Sequence, residues 1–189
     1  DVRRVATDPA VLAAHPGFSP PLISYEGRDN VAAVHTPRAG GGRSLALQGH
    51  VDVVPEGAAE LWAAAPFEPV VREGRMFGRG AGDMKAGLVS AIMAFKALRL
   101  AGLVPAAPVQ FQAVIEEECT GNGALACLLA GHTADAAIIP EPFDELLSAQ
   151  LGVMWMTLDV YGVPVHAAVA QTGIGAIEFG QYLVAELRK

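Results

Sequence analysis

Residues 78–87 read GRGAGDMKAG, and the reading of that stretch decides how the rest of the chain is folded. A glycine-rich bend delivers one carboxylate, Asp83, to the start of a run in which Met84, Leu88, Ala91, Ile92, Phe95 and Leu98 recur at helical spacing. The spacing predicts a helix over residues 84–100, buried on one face and stopped by Gly102 and Pro105. An acid at a helix start can be a plain N-cap. Here a His-x-Asp lies upstream and three consecutive glutamates lie downstream, which points to a metal site.

Working outward, residues 44–48 form a strand candidate that delivers Gly49-His50-Val51-Asp52 at its carboxyl end. Residues 30–35 are a second, shorter strand candidate, and the glycines at 40–42 mark a turn. Residues 53–66, with Pro55, Gly57 and Trp62, read as an active-site loop. Residues 69–72 and 75–78, separated by Glu73-Gly74, read as a hairpin. Residues 108–115 are apolar enough for a central strand and end on Glu116-Glu117-Glu118. A helix over 122–129 and a buried strand over 134–139, ending on Pro140-Glu141-Pro142, follow. Strands alternating with helices predict a three-layer α/β/α domain. The first 30 residues, rich in proline and glycine, read as a wrapping segment with at most a short helix near Pro9. After Leu146 the pattern changes. Residues 152–161 alternate like a half-exposed strand, His166 lies in a loop, and Ile174, Ile177, Leu183, Val184 and Leu187 mark a last helix. The division expected is an α/β domain over 1–149 and the beginning of a second, smaller α+β domain over 150–189.

Composition narrows the function classes. With 52% hydrophobic and 17% charged residues the chain can bury a sizeable core. A net charge of -7 argues against nucleic acid as a partner. No apolar run reaches the roughly 18 residues that a membrane span requires. Cys119 and Cys127 match neither a zinc knuckle nor a redox pair, so a reducing, cytoplasmic setting is expected. The chain opens on Asp1 rather than methionine, and no secretory segment is visible in it.

His50, Asp83, Glu118 and Glu141 all fall at the carboxyl ends of predicted strands or just before a helix. Open α/β sheets collect ligands at that edge, so side chains distant in sequence can converge there. Imidazole suits zinc, and carboxylates can hold one ion or bridge two. Asp52, two residues after His50, is placed to hold the non-ligating imidazole nitrogen. Adjacent glutamates on a regular strand point to opposite faces. Glu117 and Glu118 can therefore serve one site only if the backbone departs from strand geometry, and residues 120–123, TGNG, are expected to supply that irregularity. The GRGAG stretch is no phosphate loop, because the lysine and hydroxyl of that motif are missing and Asp83 would repel phosphate. Cys119 makes a poor nucleophile beside Glu118, whose charge disfavours the thiolate. His15, His35 and His132 lie outside any constellation, and Trp62 and Trp155 read as packing residues.

In order along the chain come residues 49–55 (GHVDVVP), GRGAGDMKAG, Glu116-Glu117-Glu118 with its glycine-rich turn, Pro140-Glu141-Pro142, and Gly162-x-x-x-His166-Ala167. These five motifs resemble the co-catalytic zinc deacylases and carboxypeptidases. That family includes acetylornithine deacetylase, succinyl-diaminopimelate desuccinylase, aminoacylase and bacterial glutamate carboxypeptidase. The resemblance covers the chain from His50 onward. It implies two Zn2+ or Co2+ ions, one held by His50 and Glu141 and the other by Glu118, with Asp83 bridging. It further implies Glu117 as general base, taking a proton from the attacking water and passing it to the departing amine. His166 on the lid would stabilise charge on the reacting carbonyl oxygen in a neighbouring subunit. A cis peptide between Asp83 and Met84 is also implied.

Two departures from the family pattern accompany the resemblance. The second ion's further histidine ligand, which lies late in the family's catalytic domain, is not present, and neither is the family's opening helical segment. The chain is therefore expected to be part of a longer enzyme. The activity implied is hydrolysis of an N-acyl amino acid, a dipeptide-like molecule or a related small amide, by a homodimer paired through its lid. Acetylornithine deacetylase and succinyl-diaminopimelate desuccinylase are the branches it resembles most. The other class considered is a truncated, inactive relative acting through protein contacts.

Overall fold

The computed structural model describes residues 1–189 apart from 39, 144, 150, 151 and 153–155. Its described residues divide into two compact units, Asp1–Leu146 and Leu147–Lys189. The first is built on a five-stranded mixed sheet. Its strands are β1 (Val2–Val5), β2 (Asn30–His35), β3 (Leu45–His50), β6 (Val109–Val114) and β7 (Ala136–Ile138), and a separate hairpin comprises β4 (Val70–Arg72) and β5 (Arg75–Phe77). The sheet order is β1-β2-β6-β3-β7. β6, β3 and β7 run parallel, whereas β1 and β2 run antiparallel to their neighbours. The carboxyl ends of the three parallel strands consequently open on one edge.

Period-two alternation in β6 gives the sheet two unlike faces. Val114, on one face, joins Val5, Leu12, Ala32, Leu125, Ala126 and Cys127 in the core beneath the short helix α1 (Pro9–Leu12) and α3 (Asn122–Leu129). On the same face the Gln112 side-chain amide donates to the His132 carbonyl (3.2 Å), and that of Gln110 donates to the Thr133 carbonyl, so the loop after α3 is tied to the sheet. The other face carries α2 (Gly87–Leu100), where the Phe95 ring meets His35 at 5.6 Å. Helix, sheet and helix make the expected three layers.

Several expectations are corrected in detail. The opening segment contains the edge strand β1, unread in the sequence because Val2, Arg3 and Arg4 are all exposed and only Val5 enters the core. β7 is exposed along its length and not buried, because it lies at the sheet's edge. α2 starts at Gly87, three residues later than expected, after a wide kinked turn over Ala81–Ala86. Of its residues only Ala91 is buried; Ile92, Met93 and Leu98 are at least 41% exposed.

The described residues of the second unit include a 3-10 turn (Ala167–Thr172), a bridge between Val163 and Ile174, and α4 (Ala176–Leu187). The strand expected over 152–161 is absent among its described residues, 152 and 156–161; positions 153–155, with Trp155, lie outside the described residues. Among the described residues no helix is long and apolar enough to cross a membrane.

Candidate metal centre

β3 ends on His50, whose side chain is fully buried. Gly49 leaves room beside it. A β-carbon there would press on Leu88 Cδ1 (2.9 Å) and Met84 Cε (3.0 Å), so its absence lets Met84 reach beneath the strand end. Met84 is itself fully buried, with its sulfur 3.1 Å from the His50 backbone N–H. The turn before α2 is therefore anchored by Met84, and this leaves the preceding Asp83 facing the imidazole. Asp83 and Met84 both depart from helical geometry, and the peptide between them is cis, as the resemblance implied.

Around the imidazole the separate strand ends meet. His50 Nε2 lies 3.0 Å from Asp83 Oδ1, 3.8 Å from Glu117 Oε2 and 3.9 Å from Glu141 Oε1. Ligand atoms of His50, Asp83 and Glu118 all fall within 4.8 Å of one another, as do those of His50, Glu117 and Glu141. The second grouping pairs Glu117, not Asp83, with His50 and Glu141. Six of the seven residues singled out in the sequence are thus gathered in the first unit. His166 belongs to the second unit, where its Nδ1 accepts from the Ala168 N–H (3.1 Å) and caps the 3-10 turn.

Asp52 is used differently from the expectation. β3 has ended by then, and the imidazole Nδ1 is met by the Asp52 backbone carbonyl at 3.0 Å, with the carboxylate farther off at 3.5 Å. The carboxylate instead accepts the backbone N–H groups of Glu117 (3.3 Å) and Glu118 (3.2 Å). One residue therefore orients the imidazole and grips the backbone of the two acids. The break from strand geometry also falls earlier than residues 120–123. Glu116 takes φ 65°, in the left-handed region, and its carbonyl accepts from the Thr120 and Gly121 N–H groups.

This donor set fits a divalent cation. Both imidazole nitrogens face oxygen acceptors, the Asp52 carbonyl on one side and Asp83 on the other. An imidazole without a cation must carry two protons to satisfy both, and a metal ion at Nε2 would take the place of one of them. The protonation tendencies agree. Burial is the largest influence on His50 and opposes its charging, but the Asp52 carbonyl, Asp83 and the charges of Asp52 and Glu117 outweigh it and raise the pKa. Glu118 is raised first by burial and then by the charge of Asp83, with His50 opposing. Glu141 is raised by burial, with His50 again opposing and Glu117, Asp83 and Glu118 adding to the rise. Crowding of this kind raises the affinity of carboxylates for protons, and a cation placed among them would act in the opposite direction.

Arg79 of the GRGAG bend was not singled out in the sequence. Its guanidinium Nη2 donates to the carbonyls of Pro55 (3.2 Å) and Glu56 (3.4 Å) and stacks over Trp62 at 5.2 Å. The Trp62 indole N–H donates to the Glu56 carbonyl at 2.9 Å, so the loop after His50 is pinned to the bend that carries Asp83. A cationic side chain flanked by glycines next to a proline-containing loop was the available signal.

An α/β sheet that collects an imidazole and several carboxylates at the carboxyl edge of its parallel strands has the layout of a metallohydrolase domain. The family model for peptidase family M20/M25/M40 matches residues 46–180, and the chain belongs to that family. Similar curated proteins include an N-formyl-4-amino-5-aminomethyl-2-methylpyrimidine deformylase of Halalkalibacterium halodurans, 34% identical over 151 residues (78% of this chain, 35% of that protein). A succinyl-diaminopimelate desuccinylase of Paracidovorax citrulli is 34% identical over 163 residues (79% of this chain, 42% of that protein). The chain thus spans well under half the length of these two relatives. Among solved structures, a tripeptidase of Staphylococcus aureus matches with a TM-score of 0.58 and 18% identity, over 98% of this chain and 46% of its own. An M20 family metallo-carboxypeptidase of Sulfolobus solfataricus matches with a TM-score of 0.52 and 24% identity, over 69% of this chain and 30% of its own. These two likenesses speak to the fold. Family membership implies a divalent-metal cofactor, typically zinc, and His50 with its ring of carboxylates could hold one.

Proposed function

We propose that this polypeptide carries the metal site of a hydrolase that cleaves the amide bond of an N-acyl amino acid or related small amide. The observation that carries the reading is the convergence of Asp83, Glu117 and Glu141 on one imidazole nitrogen whose opposite face is already held. Its support from relatives is that two of them are named for removing a formyl and a succinyl group. His50, Asp83, Glu118 and Glu141 are the residues proposed to hold two zinc or cobalt ions. When bound, such ions supply a Lewis acid for the carbonyl and make water nucleophilic near neutral pH.

The chain's own groups do the rest. Glu117, with its side chain 52% exposed, is open to substrate and water and acts as general base. Its carboxylate accepts the proton of the attacking water and later returns it to the amine nitrogen as the C–N bond breaks. Asp52 keeps Glu117 and Glu118 in place through their N–H groups and keeps the imidazole aimed through its carbonyl. His166, from the Gly162-x-x-x-His166 motif of a lid domain beginning near residue 150, stabilises the carbonyl oxygen's developing charge in a neighbouring subunit of a dimer. The free thiols Cys119 and Cys127 agree with a cytoplasmic setting.

The test is amine release by the intact protein with Zn2+ from N-formyl, N-acetyl and N-succinyl amino acids, N-acetylornithine among them. Glu117→Gln should lower turnover by about 100- to 10,000-fold while keeping Zn2+ affinity. A Glu117→Gln protein that loses its Zn2+ would make Glu117 a ligand and not the base. Absence of amine release from every substrate would remove the hydrolase reading.

A further inference from the structure

Glu116 precedes the two site acids, yet it is only 5% exposed and plays no part in the chemistry above. Its left-handed backbone turns Glu117 and Glu118 off the line of β6, a conformation that a glutamate seldom adopts without support. The support comes from the opening segment of the chain. The Glu116 carboxylate accepts the Tyr25 hydroxyl (3.0 Å) and the Thr120 hydroxyl (3.3 Å). The Tyr25 oxygen in turn accepts from the Asn122 side-chain amide (3.0 Å), and that amide also donates to the Ser19 carbonyl (2.7 Å). One residue earlier, the Ile115 N–H donates to Asn30 Oδ1 (2.9 Å), and the Asn30 amide donates to the Thr7 hydroxyl (3.0 Å) and the Val5 carbonyl (3.2 Å). Tyr25, Asn30 and Asn122 are all buried.

We propose that Tyr25 and Glu116 are positioning residues: their buried hydrogen bond holds the left-handed turn that aims Glu117 and Glu118 at His50. The turn is gripped from two sides. Asp52 holds the N–H groups of the acids from the site, and Tyr25, through Glu116, holds the turn from behind. Neither Tyr25 nor Glu116 belongs to the clustered groups that could hold a metal ion. Loosening this grip moves the base relative to the ligands while leaving the ligand set complete. The inference rests on the proposed hydrolase reading for its catalytic consequence, but not for its geometric one.

The experiment compares Tyr25→Phe, Glu116→Gln and Glu116→Ala with the unaltered intact protein, each loaded with Co2+ as well as Zn2+. The amide oxygen of Glu116→Gln can still accept from Tyr25, so that variant should keep most of the turnover. Tyr25→Phe and Glu116→Ala should lower kcat by about 10- to 100-fold with KM changed less than about twofold, the loss expected for a misplaced reacting group. Their visible Co2+ spectra should shift, because Glu118 moves with the turn. Spectra and kcat values of Tyr25→Phe and Glu116→Ala that superimpose on the unaltered protein would overturn the proposal. So would an equal loss in Glu116→Gln and Glu116→Ala. If the unaltered protein and Glu117→Gln are equally inactive, the hydrolase reading has failed. The Co2+ spectra alone then decide whether the clamp shapes the site.

Discussion

Gly87→Ala tests whether the first turn of α2 and the segment carrying Glu141 lie as close as the structure has them. The backbone at Gly87 is ordinary helix (φ -62°, ψ -44°), so an alanine can adopt it. Helix propensity alone would make the substitution stabilising by about 0.8–1 kcal/mol. The surrounding space predicts the opposite sign. An added β-carbon would overlap the Pro140 carbonyl oxygen and lie 2.9 Å from the carbonyl carbon and 3.1 Å from Pro140 Cγ. An ordinary carbon–carbon contact is roughly 3.5–4.0 Å, so the Pro140 backbone must retreat by about 1 Å. Overpacking of this kind costs about 1–3 kcal/mol, and the obstacle here is backbone and not the end of a flexible side chain. A backbone obstacle puts the cost in the upper part of that range, about 2–3 kcal/mol, and after the propensity gain is subtracted the net loss is about 1–2 kcal/mol. In a folding unit of about 150–250 residues that lowers Tm by about 2–8 °C. Because Glu141 follows Pro140 directly, the same retreat draws its carboxylate away from His50 and should weaken Zn2+ binding by about tenfold. Urea unfolding of the metal-free proteins and calorimetric Zn2+ titration supply the two readouts. A Gly87→Ala protein that is more stable than the original and binds Zn2+ equally well would refute the packing argument.

Further outcomes follow from the thiols and from the titrating groups. Cys127 is fully buried, and burial pushes its thiol up to about 11. Cys119 is exposed but is raised by partial burial and by the charges of Glu116, Asp52 and Glu118. Iodoacetamide on the native protein should therefore modify Cys119 alone, faster as pH rises; mass spectrometry showing a second adduct would contradict the core assignment. His50, Glu118 and Glu141 all have raised pKa values, so the folded metal-free protein holds more protons than the unfolded chain. Their stabilising contribution is complete below the unfolded pKa values and is lost as pH rises through the folded ones. With chelator present, the urea midpoint should fall between about pH 5 and pH 8, and Zn2+ should restore it while releasing protons. A midpoint that rises over that interval would show that other groups dominate.

The local signals were strong wherever a residue's role depends on its neighbours in sequence. β2 over Asn30–His35 and α3 over Asn122–Leu129 match the sequence expectation, because short apolar runs bounded by turn-forming residues are short-range properties. β1 was invisible: three of its four side chains face solvent, and what makes it a strand is its pairing with β2. β7 read as buried from its apolar run, although its place at the sheet edge leaves it exposed. That place is set by strand order, which no local pattern encodes.

The same division runs through the site. Which residue types could serve was legible in the chain itself, because an imidazole and several acids at predicted strand ends are chemically expensive to leave unpaired, and their order matches one family's motifs. Only the folded chain decided which atoms meet: that the Asp52 carbonyl, not its carboxylate, orients His50, that the carboxylate grips the backbone of Glu117 and Glu118, and that the strand breaks at Glu116. The last two of those choices depend on hydrogen bonds between residues 65 to 91 positions apart, such as Asp52 with Glu117 and Tyr25 with Glu116. Sequence spacing carries no distance information at that range. Parallel strand pairing creates it, by bringing three strand ends to one edge.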